Sequence, residues 1–276
     1  MSTDLRGRVV FITGASAGIG EALAREAARQ GGLVVLAARR LERVQAIARQ
    51  CNRDRECALG LACDVTRDGE LEAAVAATIE RFGQLDVLIA NAGFGVEGDL
   101  LELTLADYRR QFETNVFGVL RSIYAAAPEL KKTRGYIGVV GSANGYLNLP
   151  HWSAYCMSKH AVRSLCASLK HELRREGISV THLAPGFVAS DFRRTDNDGR
   201  LNEASLDPVP SWLQMPADAA ARSMLGAVLA REEESVITAH AKAVVGLERH
   251  VPWLVSKAVL ASTRLVKSLG KSATGG

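Results

Sequence analysis

Short apolar segments rich in β-branched residues alternate with longer helix-forming segments along most of the chain, and this alternation constrains the fold more than any other feature. The apolar segments lie at 8–13, 33–37, 58–63, 86–90, 136–141 and 179–184. Helices are predicted between and after them, near 18–30, 40–50, 67–82, 105–127, 154–176 and 216–231. Because continuous apolar runs suit strands that are buried on both faces, the pattern predicts an α/β fold with one doubly wound parallel sheet and helices on both faces. A ligand is expected at the carboxyl ends of such strands.

A glycine-rich turn directly follows the first predicted strand. The segment "TGASAGIG" (13–20) has Gly14 where a tight turn is needed, Gly18 where backbone approaches a ligand and Gly20 where helix and strand pack closely. The N-terminus of the following helix offers free N–H groups and a positive dipole to a pyrophosphate. The sequence therefore predicts a Rossmann-type dinucleotide site.

The end of the second strand indicates which dinucleotide binds. An acidic residue there accepts a hydrogen bond from the ribose 2′-hydroxyl of NAD. The segment "LAARR" has two alanines instead, followed by Arg39 and Arg40. A guanidinium presents a fork of donors that matches a phosphate, although two arginines would also suit the exposed start of a helix. We expect NADP(H) as the cofactor.

Seven motifs, taken in order along the chain, resemble those of the short-chain dehydrogenase/reductase family. They are T-G-x-x-x-G-I-G from Thr13, "CDV" (63–65), "ANAG" (90–93), "NVFG" from Asn115, "GSANG" with Ser142, Y-x-x-x-K at Tyr155 and Lys159, and "PG" (185–186). The resemblance covers about residues 7–235. It implies an NADP-preferring oxidoreductase that acts on alcohol and carbonyl groups.

The resemblance also implies cofactor contacts along the carboxyl edge of the sheet. Asp64 and Val65 are expected to contact the adenine, 91–93 to line the cofactor, and 185–190 to hold the nicotinamide end. The full set of expected cofactor residues is Gly14, Ser16, Gly18, Ile19, Gly20, Arg39, Arg40, Asp64, Val65, Asn91, Ala92, Gly93, Tyr155, Lys159, Pro185, Gly186, Val188 and Ser190.

Tyr155 and Lys159 are four positions apart, so one helical turn would bring them to the same face. Reducing a carbonyl needs a proton donor at its oxygen, and oxidising an alcohol needs a base there. The pKa of a free tyrosine is roughly 10, and a nearby ammonium lowers it. The resemblance further implies that Ser142 polarises the substrate carbonyl, that Lys159 holds the nicotinamide ribose, and that Asn115 anchors a water that relays protons to Lys159.

Three segments are expected to wall the substrate, at 94–100, 143–152 and 186–215. The expected substrate residues are Phe94, Val96, Tyr146, Leu147, Trp152, Phe187 and Trp212, and Leu149, Leu213 and Met215 are further apolar side chains there. This composition predicts an apolar site for a lipophilic carbonyl or alcohol, although about half of these side chains would equally suit a core or a dimer contact. The polar part of 191–216 is expected to be a lid over the substrate.

Residues 1–235 are thus predicted to form a single domain for cofactor binding and catalysis within the 276-residue chain. A net charge of +4 is too small for a nucleic-acid binder. The expected partners are a small-molecule substrate and further copies of the chain, as a homodimer or homotetramer. The five cysteines include no C-x-x-C pair, which predicts reduced thiols and no metal site. Because neither a signal peptide nor a membrane-spanning segment is recognised, a cytoplasmic location is expected.

The segment 236–276 is predicted to form a C-terminal extension containing an amphipathic helix. It carries a net charge of +5, which leaves −1 for the rest of the chain. After Pro252 a stripe recurs at three- and four-residue steps, formed by Val255, Val259, Ser262, Val266 and Leu269, with Leu265 beside it. The charged residues of the same stretch are all basic, namely Lys257, Arg264, Lys267 and Lys271. Two interpretations stay open, a stripe packed on the body or on a second subunit, and a stripe bound peripherally to an anionic membrane.

The interpretation favoured by the sequence is an NADP(H)-dependent oxidoreductase that interconverts a lipophilic ketone or aldehyde and its alcohol. One alternative is a 3-oxoacyl-thioester reductase of fatty-acid metabolism, against which the apolar lid and the extension argue. The other is a scaffold that binds NADPH without turnover. A scaffold need not retain Ser142, Tyr155 and Lys159 together.

Overall fold

The computed structural model of the protein describes residues 4–197 and 206–261. Within these ranges, seven strands form one sheet in which all neighbouring pairs are parallel. The strands are β1 (Val9–Thr13), β2 (Leu33–Ala38), β3 (Ala58–Ala62), β4 (Val87–Ala90), β5 (Tyr136–Val140), β6 (Ser179–Ala184) and β7 (Glu234–Val236). Their order across the sheet is β3-β2-β1-β4-β5-β6-β7. The predicted doubly wound α/β fold is confirmed.

Helices connect the strands and cover both faces of the sheet. They are α1 (Gly18–Arg29), α2 (Leu41–Cys51), α3 (Glu70–Phe82), α4 (Leu105–Phe112), α5 (Gly118–Thr133), α6 (Ser153–Glu172), α7 (Ala217–Leu229) and α8 (Ala239–His250). A further helical stretch covers 252–261. Among the residues that the structure describes, no helix combines the length and hydropathy needed to cross a bilayer.

The core consists of one apolar layer on each face of the sheet. Side chains alternate along β1, so Val10 and Ile12 pack with α1 and α7, whereas Val9 and Phe11 pack with α3, α5 and α6. All four are fully buried. Burial on both faces explains why these strands read as continuous apolar runs.

The helix predicted near 105–127 differs from the observed one in two ways. A π-helical turn, Glu113–Phe117, separates α4 from α5, and α5 continues through Pro128 to Thr133. Proline removes the hydrogen bond to the carbonyl four residues earlier, at Tyr124. The Tyr124 side chain is 71% exposed, so this carbonyl lies on the solvent side of the helix, and the helix continues.

The C-terminal extension begins as part of the sheet. β7 spans the predicted division between 235 and 236 and pairs with the end of β6. Helix α8 then folds back on the body, where Ala241 and Val245 are buried. The predicted stripe is described only as far as 261, and its members Ser262, Leu265, Val266 and Leu269 lie outside the described residues.

Candidate active site

Tyr155 and Lys159 lie on the first two turns of α6, where both side chains are buried. The Lys159 ammonium nitrogen is 5.7 Å from the centroid of the Tyr155 ring. The predicted one-turn spacing therefore brings the two side chains to the same buried face. Lys159 donates a hydrogen bond to the carbonyl of Val140, at 2.8 Å, which ties α6 to the end of β5.

Ser142 follows β5 directly and caps a short 3-10 turn, Ala143–Gly145. Its hydroxyl accepts a hydrogen bond from the backbone N–H of Asn144 at 3.1 Å, and it also bonds to Tyr155. Backbone hydrogen bonds from Gly141 to Leu183 and from Ala143 to Pro185 hold this turn against β6. The carboxyl end of the sheet thus brings Ser142 to Tyr155 across thirteen positions of sequence.

Burial controls the protonation of both catalytic candidates. The sequence predicts that Lys159 lowers the pKa of Tyr155, but burial instead raises it to about 12, and the groups that lower it are the Ser142 hydrogen bond and the charge of Arg193. Burial lowers the pKa of Lys159 to about 8. Tyr155 is therefore protonated at neutral pH and can donate a proton. Arg193, which the sequence placed only in the lid, is a cation acting on this tyrosine.

Asn115 lies in the π-helical turn between α4 and α5 and is fully buried. Its side-chain amide bonds both backbone groups of Phe94, at 3.0 and 3.1 Å, and donates to the Ser158 hydroxyl. A Cβ added at Gly93 would lie 3.1 Å from Asn115 Oδ1 and 3.8 Å from Lys159 Nζ. The structure thus brings Asn115 and Lys159 to the backbone at Gly93. Asn115 also lies in a π-helical turn, and such turns are frequent at functional sites.

The glycine turn forms an open backbone cradle. Gly14 and Gly18 have φ angles of +66° and +57°, which favour glycine. A Cβ at Gly20 would lie 2.4 Å from the carbonyl oxygen of Gly14, so only glycine lets α1 pack this closely on the turn. Ala17 supplies no side-chain cap to α1. The free N–H groups at this helix N-terminus fit a pyrophosphate, as the sequence predicts.

The β4 loop supports this cradle. Asn91 Nδ2 donates to the carbonyls of Thr13 and Gly14, at 2.9 and 3.2 Å. The Thr13 hydroxyl accepts from the backbone N–H groups of Asn91 and Ala92, at 3.0 and 3.1 Å. Asn91 therefore acts through the glycine turn, and Thr13, absent from the predicted set, is part of the same support.

Arg39 and Arg40 have different surroundings at the end of β2. Arg40 donates two hydrogen bonds to the Ser16 hydroxyl, at 2.9 and 3.2 Å, so it reaches into the glycine turn. Arg39 is exposed and has no hydrogen-bond or ion-pair partner within residues 4–197 and 206–261. Further along this edge, the carboxylate of Asp64 accepts two hydrogen bonds from Thr66, and Val65 is buried. Arg39 is thus available to bind an anion.

Two aromatic side chains pack on Tyr155 and form one wall of the candidate site. The Phe192 ring centroid is 5.3 Å from that of Tyr155 and 6.4 Å from that of Trp152, and the Trp152 and Tyr155 centroids are 5.7 Å apart. Trp152 belongs to the predicted substrate residues, whereas the sequence did not single out Phe192. A Cβ at Gly95 would lie within 3 Å of both the Trp152 and the Phe192 rings, so the wall is closely packed.

A cavity of about 510 Å³ adjoins this wall. Beside Trp152 its lining is mostly polar, formed by Gly95, Glu97, Arg193, Thr195, Asp196 and Asn197. Arg193 makes a bidentate ion pair with Asp207, at 2.6 and 2.7 Å, which joins the two ends of the predicted lid. Tyr155 is therefore surrounded by aromatic rings, while the adjoining cavity is mostly polar and includes Glu97, Arg193 and Asp196, in contrast to the apolar site with few fixed charges that the sequence predicts. Residues 198–205 of the lid lie outside the described residues.

The other predicted substrate residues lie in several places. Phe94 is half-buried and Val96 is fully buried, with its N–H bonded to Gln111. Tyr146 and Leu147 pack against α8 and are not among the residues that line the cavity. Phe187 stacks on His240 of α8, and Trp212 is 81% exposed.

Comparisons with known proteins agree with this geometry. The family model described as short chain dehydrogenase matches residues 8–201. An Anopheles gambiae protein, "Dehydrogenase/reductase SDR family protein 7-like", is 32% identical over 242 residues, which cover 85% of this chain and 76% of that protein. The 11-beta-hydroxysteroid dehydrogenase A of Sesamum indicum is 34% identical over 84% of this chain and 68% of its own. The crystal structure of a Burkholderia phymatum short chain dehydrogenase/reductase in complex with NAD has a TM-score of 0.79 and 27% identity, covering 91% of this chain and 96% of that one.

Proposed function

Because this chain belongs to the short-chain dehydrogenase/reductase family, we propose that it is an NADP(H)-dependent oxidoreductase that interconverts a lipophilic ketone or aldehyde and its alcohol. The observation that carries the proposal is the group formed by the buried Tyr155 and Lys159 with the half-buried Ser142, at the same sheet edge as the glycine cradle. A scaffold that only binds the dinucleotide would have no need for a buried proton donor beside a buried lysine.

In the proposed reduction, Tyr155 donates the proton to the carbonyl oxygen. Its pKa of about 12 keeps Tyr155 protonated at neutral pH. The Ser142 hydroxyl is hydrogen-bonded to Tyr155, so both hydroxyls would lie beside the bound carbonyl oxygen. The Lys159 side chain, bonded to the Val140 carbonyl, keeps its charge beside the tyrosine ring. Aromatic packing from Trp152 and Phe192 excludes water from the tyrosine.

The residues of the cradle fit a dinucleotide, and Arg39 with Arg40 would hold a 2′-phosphate. The nicotinamide supplies or accepts the hydride when bound. The N–H groups at the start of α1 would hold the pyrophosphate, and the pair Arg40–Ser16 would close one side of the site. Since the Burkholderia relative binds NAD, the choice of NADP(H) for this chain rests on the arginines and on the missing acid.

The aromatic wall and the mostly polar cavity beside it support a substrate with an apolar body around its reacting carbon and a polar group at its other end. A lipophilic ketone of this kind would place its ring or chain against Trp152 and Phe192. The hydroxysteroid dehydrogenase named among the relatives acts on a substrate class of this kind, which supports testing steroids first.

Activity is expected on at least one lipophilic carbonyl compound with NADPH as reductant. The experiment is a panel of ketones, aldehydes, steroid ketones and secondary alcohols, together with a 3-oxoacyl thioester, each followed by NADPH absorbance. Turnover of the thioester alone would support the fatty-acid alternative. NADPH binding without turnover of any compound would support the scaffold and contradict the proposal.

Homo-oligomer formation is also part of the proposal. Leu105 of α4, Phe117 of the π-helical turn and Tyr124 of α5 are 73%, 47% and 71% exposed, and Phe117 and Tyr124 are seven residues apart, about two helical turns. Large apolar side chains exposed together favour a protein interface. Light scattering would distinguish a dimer from a tetramer.

We propose a peripheral membrane contact for the C-terminal extension. On the helical stretch 252–261, Trp253, Leu254 and Leu260 are 60%, 44% and 53% exposed, whereas Val255 and Val259 of the predicted stripe are half-buried. The Lys257 ammonium lies 5.2 Å from the Trp253 ring centroid. No acidic residue follows Glu248. Exposed apolar side chains in a segment whose charged residues are all basic suit an anionic lipid surface.

The full-length protein is expected to co-sediment with anionic liposomes at low salt, and a variant lacking 252–276 is expected to stay in solution. Electrostatic attraction to anionic lipid is screened by salt, so binding should weaken at high salt and on neutral liposomes. Full-length protein that stays in the supernatant at low salt would contradict the membrane contact. If the truncation also changes the oligomeric state, the helix is instead a subunit contact.

A further inference from the structure

Helix α8 touches the segment 185–190, which the family resemblance assigns to the nicotinamide end of the cofactor. A Cβ added at Gly186 would lie 2.3 Å from Thr238 Oγ1 and 2.4 Å from His240 Nε2. The backbone of this segment is thus in direct contact with the first turn of α8. On its other side the segment pairs with Met215, through a parallel bridge at Val188.

His240 makes the polar contact between helix α8 and the segment 185–190. The backbone N–H of Phe187 donates to His240 Nε2 at 2.9 Å, and the two rings stack with their centroids 5.1 Å apart. A backbone N–H can only donate, so Nε2 must carry a free lone pair and the ring proton must be on Nδ1. The contact therefore requires a neutral imidazole.

The surroundings of His240 keep the imidazole neutral. Burial lowers its pKa from the ordinary histidine value. The Thr238 hydroxyl oxygen lies 3.1 Å from Nε2 and accepts the N–H of Ala241. The charged group beside this stack is Arg193, whose guanidinium lies 5.7 Å from the Phe187 ring centroid.

Both ends of α8 are anchored, so His240 has a fixed position. Ala241 and Val245 are buried in one cluster with Ala143 and Tyr146, next to Ser142. At the other end of the helix, Arg249 forms an ion pair with Glu234 of β7. Tyr146 also bonds to Glu234, which connects the far end of α8 to the turn that follows Ser142.

We propose that His240 is a positioning residue for cofactor binding, which holds the 185–190 segment by accepting the Phe187 N–H. This inference rests on the proposed function, because the segment 185–190 has a cofactor to hold only if the protein binds a dinucleotide. His240 acts through Phe187 and touches neither of the reacting groups. Helix α8, the first helix of the C-terminal extension, then supports the active site through His240.

Three variants and one titration test the proposal. His240→Leu removes the acceptor, and His240→Gln places an amide oxygen near the position of Nε2. His250→Leu, at the exposed end of α8, is the matched control. The measurement is the Kd of NADP⁺ by calorimetry at pH 7.5 and at pH 5.5, with circular dichroism to confirm the fold.

His240→Leu is expected to weaken NADP⁺ binding about three- to tenfold at pH 7.5, the effect of one lost hydrogen bond, with little change for His240→Gln and His250→Leu. Protonation of Nε2 abolishes its acceptor role, so wild-type affinity should fall more than that of His240→Gln as the pH falls below the ordinary histidine range. Comparing these two proteins cancels the titration of the cofactor's own phosphate.

Equal affinity of wild type and His240→Leu, or the same pH dependence in wild type and His240→Gln, would overturn the role of His240. The second comparison holds even if His240→Leu does not fold. A wild-type protein that binds no NADP⁺ at pH 7.5 would instead overturn the proposed function, so the two failures are distinguishable.

Discussion

Tyr155→Phe is expected to remove nearly all carbonyl reduction while leaving the affinity for NADPH close to that of the wild type. The substitution deletes only the hydroxyl that donates the proton, while the ring that packs on Trp152 and Phe192 is retained. Removing a general acid costs about 10²–10⁴-fold, and the loss should appear in kcat. Steady-state kinetics and NADPH fluorescence titration measure the two quantities.

Tyr136→Phe is the matched control for this variant. Both tyrosines are 7% exposed, but Tyr136 begins β5 at the opposite edge of the sheet, between the guanidinium groups of Arg8 and Arg231. The control should retain kcat. Because a raised pKa keeps Tyr155 protonated up to about pH 12, its ionisation should not limit reduction in the neutral range. A Tyr155→Phe protein with more than half of the wild-type activity would remove Tyr155 from the mechanism.

Arg39→Ala is expected to weaken binding of NADPH much more than binding of NADH. Only NADPH carries a 2′-phosphate, and Arg39 is exposed without a partner in the described part of the chain, whereas Arg40 already bonds to Ser16. Loss of one charge-assisted contact should shift the preference between the two cofactors by roughly ten- to a hundredfold. The measurement is kcat/KM with each cofactor.

Arg49→Ala is the control for Arg39→Ala, because Arg49 is also an exposed arginine but lies in the last turn of α2, away from the end of β2. It removes the same charge from the protein without approaching the end of β2. The cofactor preference of this control should match that of the wild type. A wild-type enzyme that prefers NADH would contradict the interpretation of "LAARR" itself.

Most of the fold could be predicted because its strands are local apolar runs with a clear physical cause. Strands buried on both faces need apolar residues at most positions, and β1, β2, β4 and β5 consist almost entirely of them, whereas β6 also buries Thr181 and His182. β7 was missed because it has only three residues, Glu234–Val236, all half-buried. Nothing in its own composition favours a strand, and it exists because the exposed edge of β6 supplies a partner.

The site was predictable where one short motif contains all the necessary groups. The glycine turn and the Tyr155–Lys159 pair each depend on spacing within one element, so their geometry follows from the helix or the turn alone. Phe192 and Arg193 carried no such signal. They stand in a polar segment whose composition indicates a loop, and only the packing of that loop brings Phe192 onto Tyr155 and pairs Arg193 with Asp207.

By itself the sequence determined the fold class, the conformation of the glycine turn and the pairing of Tyr155 with Lys159 on one helix face, because periodicity, glycine geometry and helical spacing are properties of neighbouring residues. Only the tertiary structure decided how these parts act together. Burial raises the pKa of Tyr155 to about 12, and burial is a property of the whole packed domain. The contact between Phe187 and His240 joins residues 53 positions apart, a distance that no local pattern encodes.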